Sequence, residues 1–440
     1  MNTFFSFIIV LSLLVFIHEL GHYLIAKFFG IGVEQFSIGM PPRLVGIQIG
    51  ETEYCISAIP FGGYVKLVGQ SDFDKEEEGE LGPKDYRGKP TPVKIAVLVA
   101  GSLMNIISAI FIFFLLFSTH GVPKSSNFIG SVVEGTMAEK LGLKAGDEIV
   151  KINGKDVNRL DRDIVALYTE DNTTLSVKHA RGIRTVHIDK KLDQTKDFGI
   201  LPYYEARVDR TLTDSPAEKA GIEPDDVIIA IDDVAVTGGW YHMSEIIRVN
   251  PGSELIFTIN RSDSNIQIPI TAEHEEEEQP DGTRKTVGKI GIAIRFPTRK
   301  AGLAESFTMA LGETKFIAVH TVDFFVKLVT GRMSPKLVGG PVMIAKMVGE
   351  SAKSGLASLF GFTAFISINL GVLNLLPFPV LDGGHIAILL FESVIRRKLS
   401  LRFRIALQQA GTIILLLFMI YITFNDFMRF PSISQLFGGN

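Results

Sequence analysis

A membrane-embedded α-helical core of four transmembrane helices, one of them broken, carrying a water-exposed α+β insert is the fold class the sequence predicts. Composition is the first ground for it. The 440 residues are 46% hydrophobic and 21% charged, with a mean hydropathy of +0.27, too apolar for an ordinary soluble enzyme and too charged for a chain wholly in lipid. Long apolar runs are the second ground. Thr3 to Ala26, Val93 to Phe117 and Ile405 to Phe424 each reach the length of about 20 residues that crosses a bilayer. Leu356 to Leu376 does so too, before Pro377, Pro379 and Gly383-Gly384 interrupt the pattern and Ile386 to Phe391 resumes it. Finally, the stretch between the second and third spans contains a repeat.

The elements follow in chain order. The first run, within 1–29, lacks the charged n-region and small-residue cleavage site of a secretion signal, so it reads as a retained span. Residues 30–92 form a β-rich loop, and Lys27, Arg43, Lys66, Lys84, Arg87 and Lys89 assign this segment to the cytoplasmic side. Arg396, Arg397, Lys398, Arg402 and Arg404 do the same for the link before the last span. With a second span at 93–117, a broken third at 355–395 and a fourth at 403–426, both termini and the long insert fall outside. Irregular backbone at bilayer depth is tolerated only where protein or a water-filled cavity satisfies it, so the break points to a site. Residues 301–332 have helical apolar spacing interrupted by charges, which predicts an amphipathic helix on the outer surface. Glu275 to Glu278 reads as a solvated loop. A net charge of -4 without a basic patch excludes a nucleic-acid binder. Cys55, the single cysteine, cannot close an intramolecular disulfide and reads as a small buried hydrophobe.

Within the insert, "GTMAEKLGLKAGDEIVKINGKDV" from Gly135 and "DSPAEKAGIEPDDVIIAIDDVAV" from Asp214 align without a gap at an offset of 79 residues. Each copy predicts a short helix (Ala138 to Leu141; Ala217 to Ala220), a Gly turn, an acidic turn and a strand, with alternating strands such as "LSVKHA" and "LIFTIN" after it. These lines resemble bacterial PDZ domains, which implies two α+β units at 125–199 and 200–296 that bind extended peptides by strand addition or serve as steric filters. The second copy departs from that pattern at Pro224 and at Asp232-Asp233.

The first span holds "HELGH". On a helix, His18 and His22 lie four residues apart on one face and can point both imidazoles at one ion, while Glu19 reaches a water beside it. This is the H-E-x-x-H pattern of zinc peptidases, with Glu19 as general base. Ionisable residues at bilayer depth are costly and mark function. Catalytic zinc takes three protein ligands. Asp382, in the break sequence "NLLPFPVLDGGH", is the expected third, with His385 as its competitor. Two neutral histidines, one carboxylate and a hydroxide around Zn²⁺ sum to zero charge, which suits a low-dielectric site.

HELGH, N-x-x-P-x-P-x-L-D-G, the intervening repeats, "VEQFSIGMPP" and "IPFGGYVKLVG" together resemble the site-2 protease family of intramembrane metalloproteases over nearly the whole chain. The resemblance implies a zinc endopeptidase of the bacterial inner membrane that cuts single-pass transmembrane substrates, an anti-sigma factor or a remnant signal peptide. It also implies Asn374 near the substrate backbone and a membrane-associated β-hairpin at 30–92. In that hairpin Gly62, Gly63, Tyr64 and Val65 offer an edge to an unwound substrate. A non-catalytic PDZ scaffold with a structural metal site is the alternative. A metal transporter is disfavoured, because no further chain of acidic or His residues runs through the spans.

Overall fold

The computed structural model describes residues 3–69, 82–124, 126–157, 160–179, 182–192, 198–212, 214–278, 284–335 and 338–429. The chain divides into two compact units, Met1–Val122 with Lys300–Asn440, and Pro123–Arg299.

The first unit is built on helices α1 (Thr3–Phe28) and α2 (Thr91–His120), α3 (Leu303–Val329), α4 (Pro341–Lys353), α5 (Leu356–Asn374), α6 (Asp382–Ile395) and α7 (Leu401–Arg429). Four of these, α1, α2, α5 and α7, are long and apolar enough to cross a membrane. Their faces toward one another set small and polar residues among apolar ones such as Leu14, Phe113, Ile368 and Val372, and the small and polar ones bring the backbones close where lipid outside is no less apolar than leucine. Gly21 lets α1 press on α2, since a Cβ there would lie 2.3 Å from the Ala100 carbonyl oxygen. Between α2 and α5, Ser367 Oγ donates to the Asn105 carbonyl at 2.9 Å, and the Ser108 and Ser367 hydroxyls pair at 3.1 Å. On α7 the apolar side chains of Ile413, Leu416, Leu417 and Ile420 are exposed, a surface matched to hydrocarbon.

Pro377 and Pro379 cannot continue α5, which ends at Asn374. The chain then turns back over the first turn of α6. Gly383 and Gly384 make room for it: a Cβ would lie 2.3 Å from the Leu375 and Leu376 carbonyl oxygens in one case and 2.1 Å from that of Phe378 in the other.

Two long bent strands, β1 (Val33–Ile49) and β2 (Thr52–Leu67), follow α1. Their register folds each strand back. Gln35 to Ile38 lie between Glu53 to Ile56 on one side and Gly63 to Lys66 on the other, while Val45 to Ile49 pair outside Thr52 to Ile56. Residues 63–67 are therefore an edge, paired on one side alone among the described residues. Leu44, Val45, Ile47 and Ile49 are all at least 60% exposed. Cys55 is buried and free, as read from the sequence, and receives Gln35 Nε2 at 3.1 Å. At the β1–β2 turn, Lys84 and Lys27 hold the Glu51 carboxyl down at about 2.

One feature differs from expectation in this unit. α4 had no counterpart in the sequence reading, because its 13 residues fall short of a span; its buried residues are Val348 and Gly349. α3, the helix expected at 301–332, packs lengthwise on α2 and α5, with Phe307 against Phe114 and Thr321 Oγ1 donating to Asn369 Oδ1 at 2.9 Å. The reason is its buried stripe of small residues, Ser306, Ala310, Thr314 and Thr321, which admits close helix contact.

In the second unit the two sequence copies carry the same strand order. The sheet Lys155–Asp156, Glu148–Ile152, Thr173–His179, Gly182–Ile188 corresponds to Val234–Ala235, Val227–Ile231, Glu254–Arg261, Ser264–Thr271. Their hydrogen bonds correspond as well. Asp147 accepts from the Lys144 amide at 2.9 Å and Asp226 from the Glu223 amide at 2.8 Å. In the second copy Asp232 and Asp233 adopt the left-handed turn (φ 46 and 66) that Asn153-Gly154 makes in the first (φ 50 and 76). The left-handed counterpart of Gly146 is Asp225, with φ 72, one residue beyond Pro224. Asp and Asn tolerate this region better than other non-glycine residues, so the departures keep the turns. Glu275 to Glu278 form a strand rather than a solvated loop: Glu273–Glu278 pairs with Arg284–Lys289. Cationic partners offset the run of like charge, Lys289 bonding Glu275 at 2.6 Å and Arg248 bonding Glu277.

Asp426 of α7 is fully buried and accepts from the backbone amides of Gly340 and Met343, both at 3.0 Å, capping α4. Asp426→Ala leaves those amides without a partner and is expected to destabilise the protein by about 1–3 kcal/mol. Thermal unfolding in detergent checks this, and an unshifted transition would contradict it.

Candidate metal centre

Four turns into α1, His18 and His22 occupy one face, and both imidazoles turn toward α2 and α6. Glycine at position 101 creates the space. A Cβ on Gly101 would lie 2.4 Å from His22 Nε2 and 2.8 Å from His18 Cε1, so only a glycine admits the two rings between the helices. Asp382 enters from the other side as the first residue of α6, where the helix dipole favours a carboxylate.

Three donor atoms converge. His18 Nε2 and His22 Nε2 are 3.1 Å apart, and Asp382 Oδ2 lies 3.2 Å from the first and 3.5 Å from the second. Among the described residues, His18, His22 and Asp382 are the group of metal-ligating side chains whose donor atoms all fall within 4.8 Å. His385, the competing candidate, is not in that group. The side chains are 9%, 12% and 19% exposed, so three polar groups in an apolar surround share one small space. Such a cluster is costly unless a cation joins it.

The outer contacts decide which nitrogens face inward. His22 Nδ1 lies 2.8 Å from the Val97 carbonyl oxygen of α2. A carbonyl only accepts, so Nδ1 carries the proton and the Nε2 lone pair points to the cluster. His18 Nδ1 faces the Asn105 side chain at 3.4 Å, and Asn374 Nδ2 sits 3.4 Å from His18 Nε2 at the end of α5.

Glu19 stands against the edge segment of β2. A Cβ on Gly63 would lie 3.4 Å from Glu19 Cγ and 2.8 Å from the Ser37 carbonyl oxygen, so glycine lets the strand pass this close. The Val65 backbone hydrogen-bonds the Glu19 carboxylate. Tyr64 turns its hydroxyl away to Gln35 Oε1 at 2.6 Å, and Gly62 takes φ 127 at the bend that starts the edge. The structure thus brings together His18, Glu19, His22, Asp382, Asn374, Gly63 and Val65, with Gly62 and Tyr64 beside them. Sequence reasoning missed Gly21, Gly101, Asn105 and the Val97 carbonyl. A polar Asn105 and a Gly101-Ser102 pair inside an apolar span were the available signals.

A sequence model of peptidase family M50 matches residues 6–418. A relative from Neisseria meningitidis serogroup A, whose name assigns it to the zinc metalloproteases, is 32% identical, with 98% of this chain and 99% of the relative covered. The regulator of sigma-E protease RseP of Escherichia coli K12 is 31% identical over 96% of this chain and 98% of its own length. A Haemophilus influenzae protein named regulator of sigma E protease is 30% identical, again over 96% and 98%.

Gly101→Ala is expected to push the two imidazoles apart while costing about 1–3 kcal/mol of stability through overpacking. Elemental analysis of the purified variant should find bound divalent metal largely lost. Full retention of metal would show that the rings have another arrangement.

Proposed function

This chain belongs to peptidase family M50, and on that footing we propose that it is a zinc endopeptidase of the bacterial inner membrane that cuts single-pass transmembrane substrates, of the anti-sigma-factor or remnant-signal-peptide type. The observation that carries the reading is the convergence of His18, His22 and Asp382. Tetrahedral zinc with bonds of about 2.0–2.1 Å holds its donors roughly 3.3–3.4 Å apart, and the three separations here are 3.1, 3.2 and 3.5 Å. Zinc held by these three residues supplies a Lewis acid that acidifies water and polarises a carbonyl.

The remaining work falls to the chain's own groups. Glu19 takes the proton of the attacking water and returns it to the leaving amine. A helical substrate hides its peptide bonds, so it must unwind and find new backbone partners before it can be cut. The outer edge of β2 at Gly63 and Tyr64, next to Glu19, supplies them by strand addition, with Asn374 holding the substrate backbone. The exposed apolar residues Leu44, Val45, Ile47 and Ile49 support a membrane-associated hairpin. Arg396, Arg397 and Lys398 after α6 support a cytoplasmic position for that end of the site, with the insert on the periplasmic side. The repeats, read as PDZ domains, act as a filter that admits substrates whose ectodomain has been trimmed.

Glu19→Gln is expected to lower cleavage of a model transmembrane substrate by at least about 100-fold with zinc content unchanged. A non-catalytic scaffold predicts no effect, and cleavage at the wild-type rate would sink the proposed role. Deleting about 125 to 296 should let an untrimmed substrate be cut. Continued dependence on trimming would count against the filter.

A further inference from the structure

The contact between His18 and Asn105 leaves one buried amide atom of Asn105 without a partner. Asn105 lies on α2 and is fully buried. Its Nδ2 is 3.4 Å from His18 Nδ1, and its Oδ1, also buried, has no hydrogen-bond partner. With the amide nitrogen facing Nδ1, that ring nitrogen must accept, and the proton of a neutral imidazole moves to Nε2. Nε2 is the atom that faces His22 and Asp382. A protonated Nε2 cannot ligate a metal.

Exchanging the amide ends removes the conflict. The oxygen and nitrogen of an Asn side chain occupy nearly equivalent positions, and their assignment follows from the surrounding hydrogen bonds. With Oδ1 toward the ring, Asn105 accepts from His18 Nδ1–H and the Nε2 lone pair points into the cluster. His22 already has this arrangement, its Nδ1 facing the Val97 carbonyl. Val97 and Asn105 are eight residues apart, about two turns along α2, so one helix face supplies an acceptor to each histidine. The Asn105 backbone is itself fixed, its carbonyl accepting from Ser108 Oγ at 2.8 Å and Ser367 Oγ at 2.9 Å.

We propose that Asn105 is a positioning residue that accepts a hydrogen bond from His18 and thereby sets the tautomer with which His18 binds the metal. The inference rests on the reading of His18, His22 and Asp382 as zinc ligands. It is tested by zinc competition against a chromophoric chelator on the full-length protein in detergent, comparing wild type with Asn105→Leu and Asn105→Asp. Leu has similar volume and no acceptor, and should weaken zinc about 10–100-fold, the range found for outer partners of ligating histidines. Asp can only accept, and should bind zinc at least as tightly as wild type. If Asn105 acted as a donor or merely filled space, Asp would bind as weakly as Leu, or Leu would bind like wild type, and either result overturns the inference. Should Asn105→Leu fail to fold, Asn105→Val takes its place as the variant without an acceptor: weakened zinc there beside tight binding in Asn105→Asp supports acceptance, and wild-type binding in Asn105→Val or loss of zinc in Asn105→Asp refutes it. Wild-type protein that takes up no zinc would sink the metal site itself, an outcome distinct from an indifferent Asn105.

Discussion

Everything at the site depends on how closely α1 approaches α2. Two glycines set that distance from opposite sides. Gly21 brings its backbone against the Ala100 carbonyl, and Gly101 leaves the hollow that His18 and His22 fill. A methyl group at either position would occupy space already taken, by backbone in the first case and by an imidazole in the second. The helices therefore cannot separate without losing the Val97 carbonyl that orients His22, and cannot close further without expelling the rings. In lipid, where apolar burial between helices gains little, such close packing of small residues is the main attraction available. The same contact that holds the fold also aims the histidines.

The broken helix supplies what an unbroken one could not. A continuous α5 would carry Asp382 onward along its axis with every backbone group paired, whereas the prolines stop α5 at Asn374 and let α6 start at Asp382. Two ends thus meet at one place. Asn374 comes from the end of α5 and Asp382 from the start of α6, both within 3.4 Å of His18 Nε2. Gly383 and Gly384 allow the intervening turn to fold against α6. On the fourth side, the β2 edge passes Glu19. In the proposed reading, this leaves a metal, a base and an open strand edge around one point, which is the minimum needed to cut an unwound helix.

What the sequence disclosed was local, and what it withheld was tertiary. His18, Glu19 and His22 were legible because a spacing of four residues on a helix fixes their relation without knowledge of any other segment. Asp382 was legible because prolines and paired glycines announce a break at bilayer depth. Asn105 and Gly101 carried a signal, polarity and smallness within a span, but their partners lie more than 75 residues away in sequence. α4 escaped notice because its first turn hangs on Asp426 of α7, a cap from another helix. Glu275 to Glu278 misled because a run of like charge reads as solvated until the Lys and Arg residues of a neighbouring strand and helix are seen beside it. Asp232-Asp233 kept the turn that Asn-Gly makes in the other copy, a substitution legible in retrospect from the tolerance of Asp for the left-handed region.

The central claim is that one zinc ion held by His18, His22 and Asp382 is what the whole arrangement serves. Elemental analysis of detergent-purified wild type beside Asp382→Ala and His385→Ala, with cleavage of a model transmembrane substrate followed in parallel, tests it most directly. The account predicts one zinc per chain in wild type and in His385→Ala, and loss of both zinc and cleavage in Asp382→Ala alone. Zinc and cleavage that survive without Asp382 would contradict it, and would move the third ligand away from the helix break.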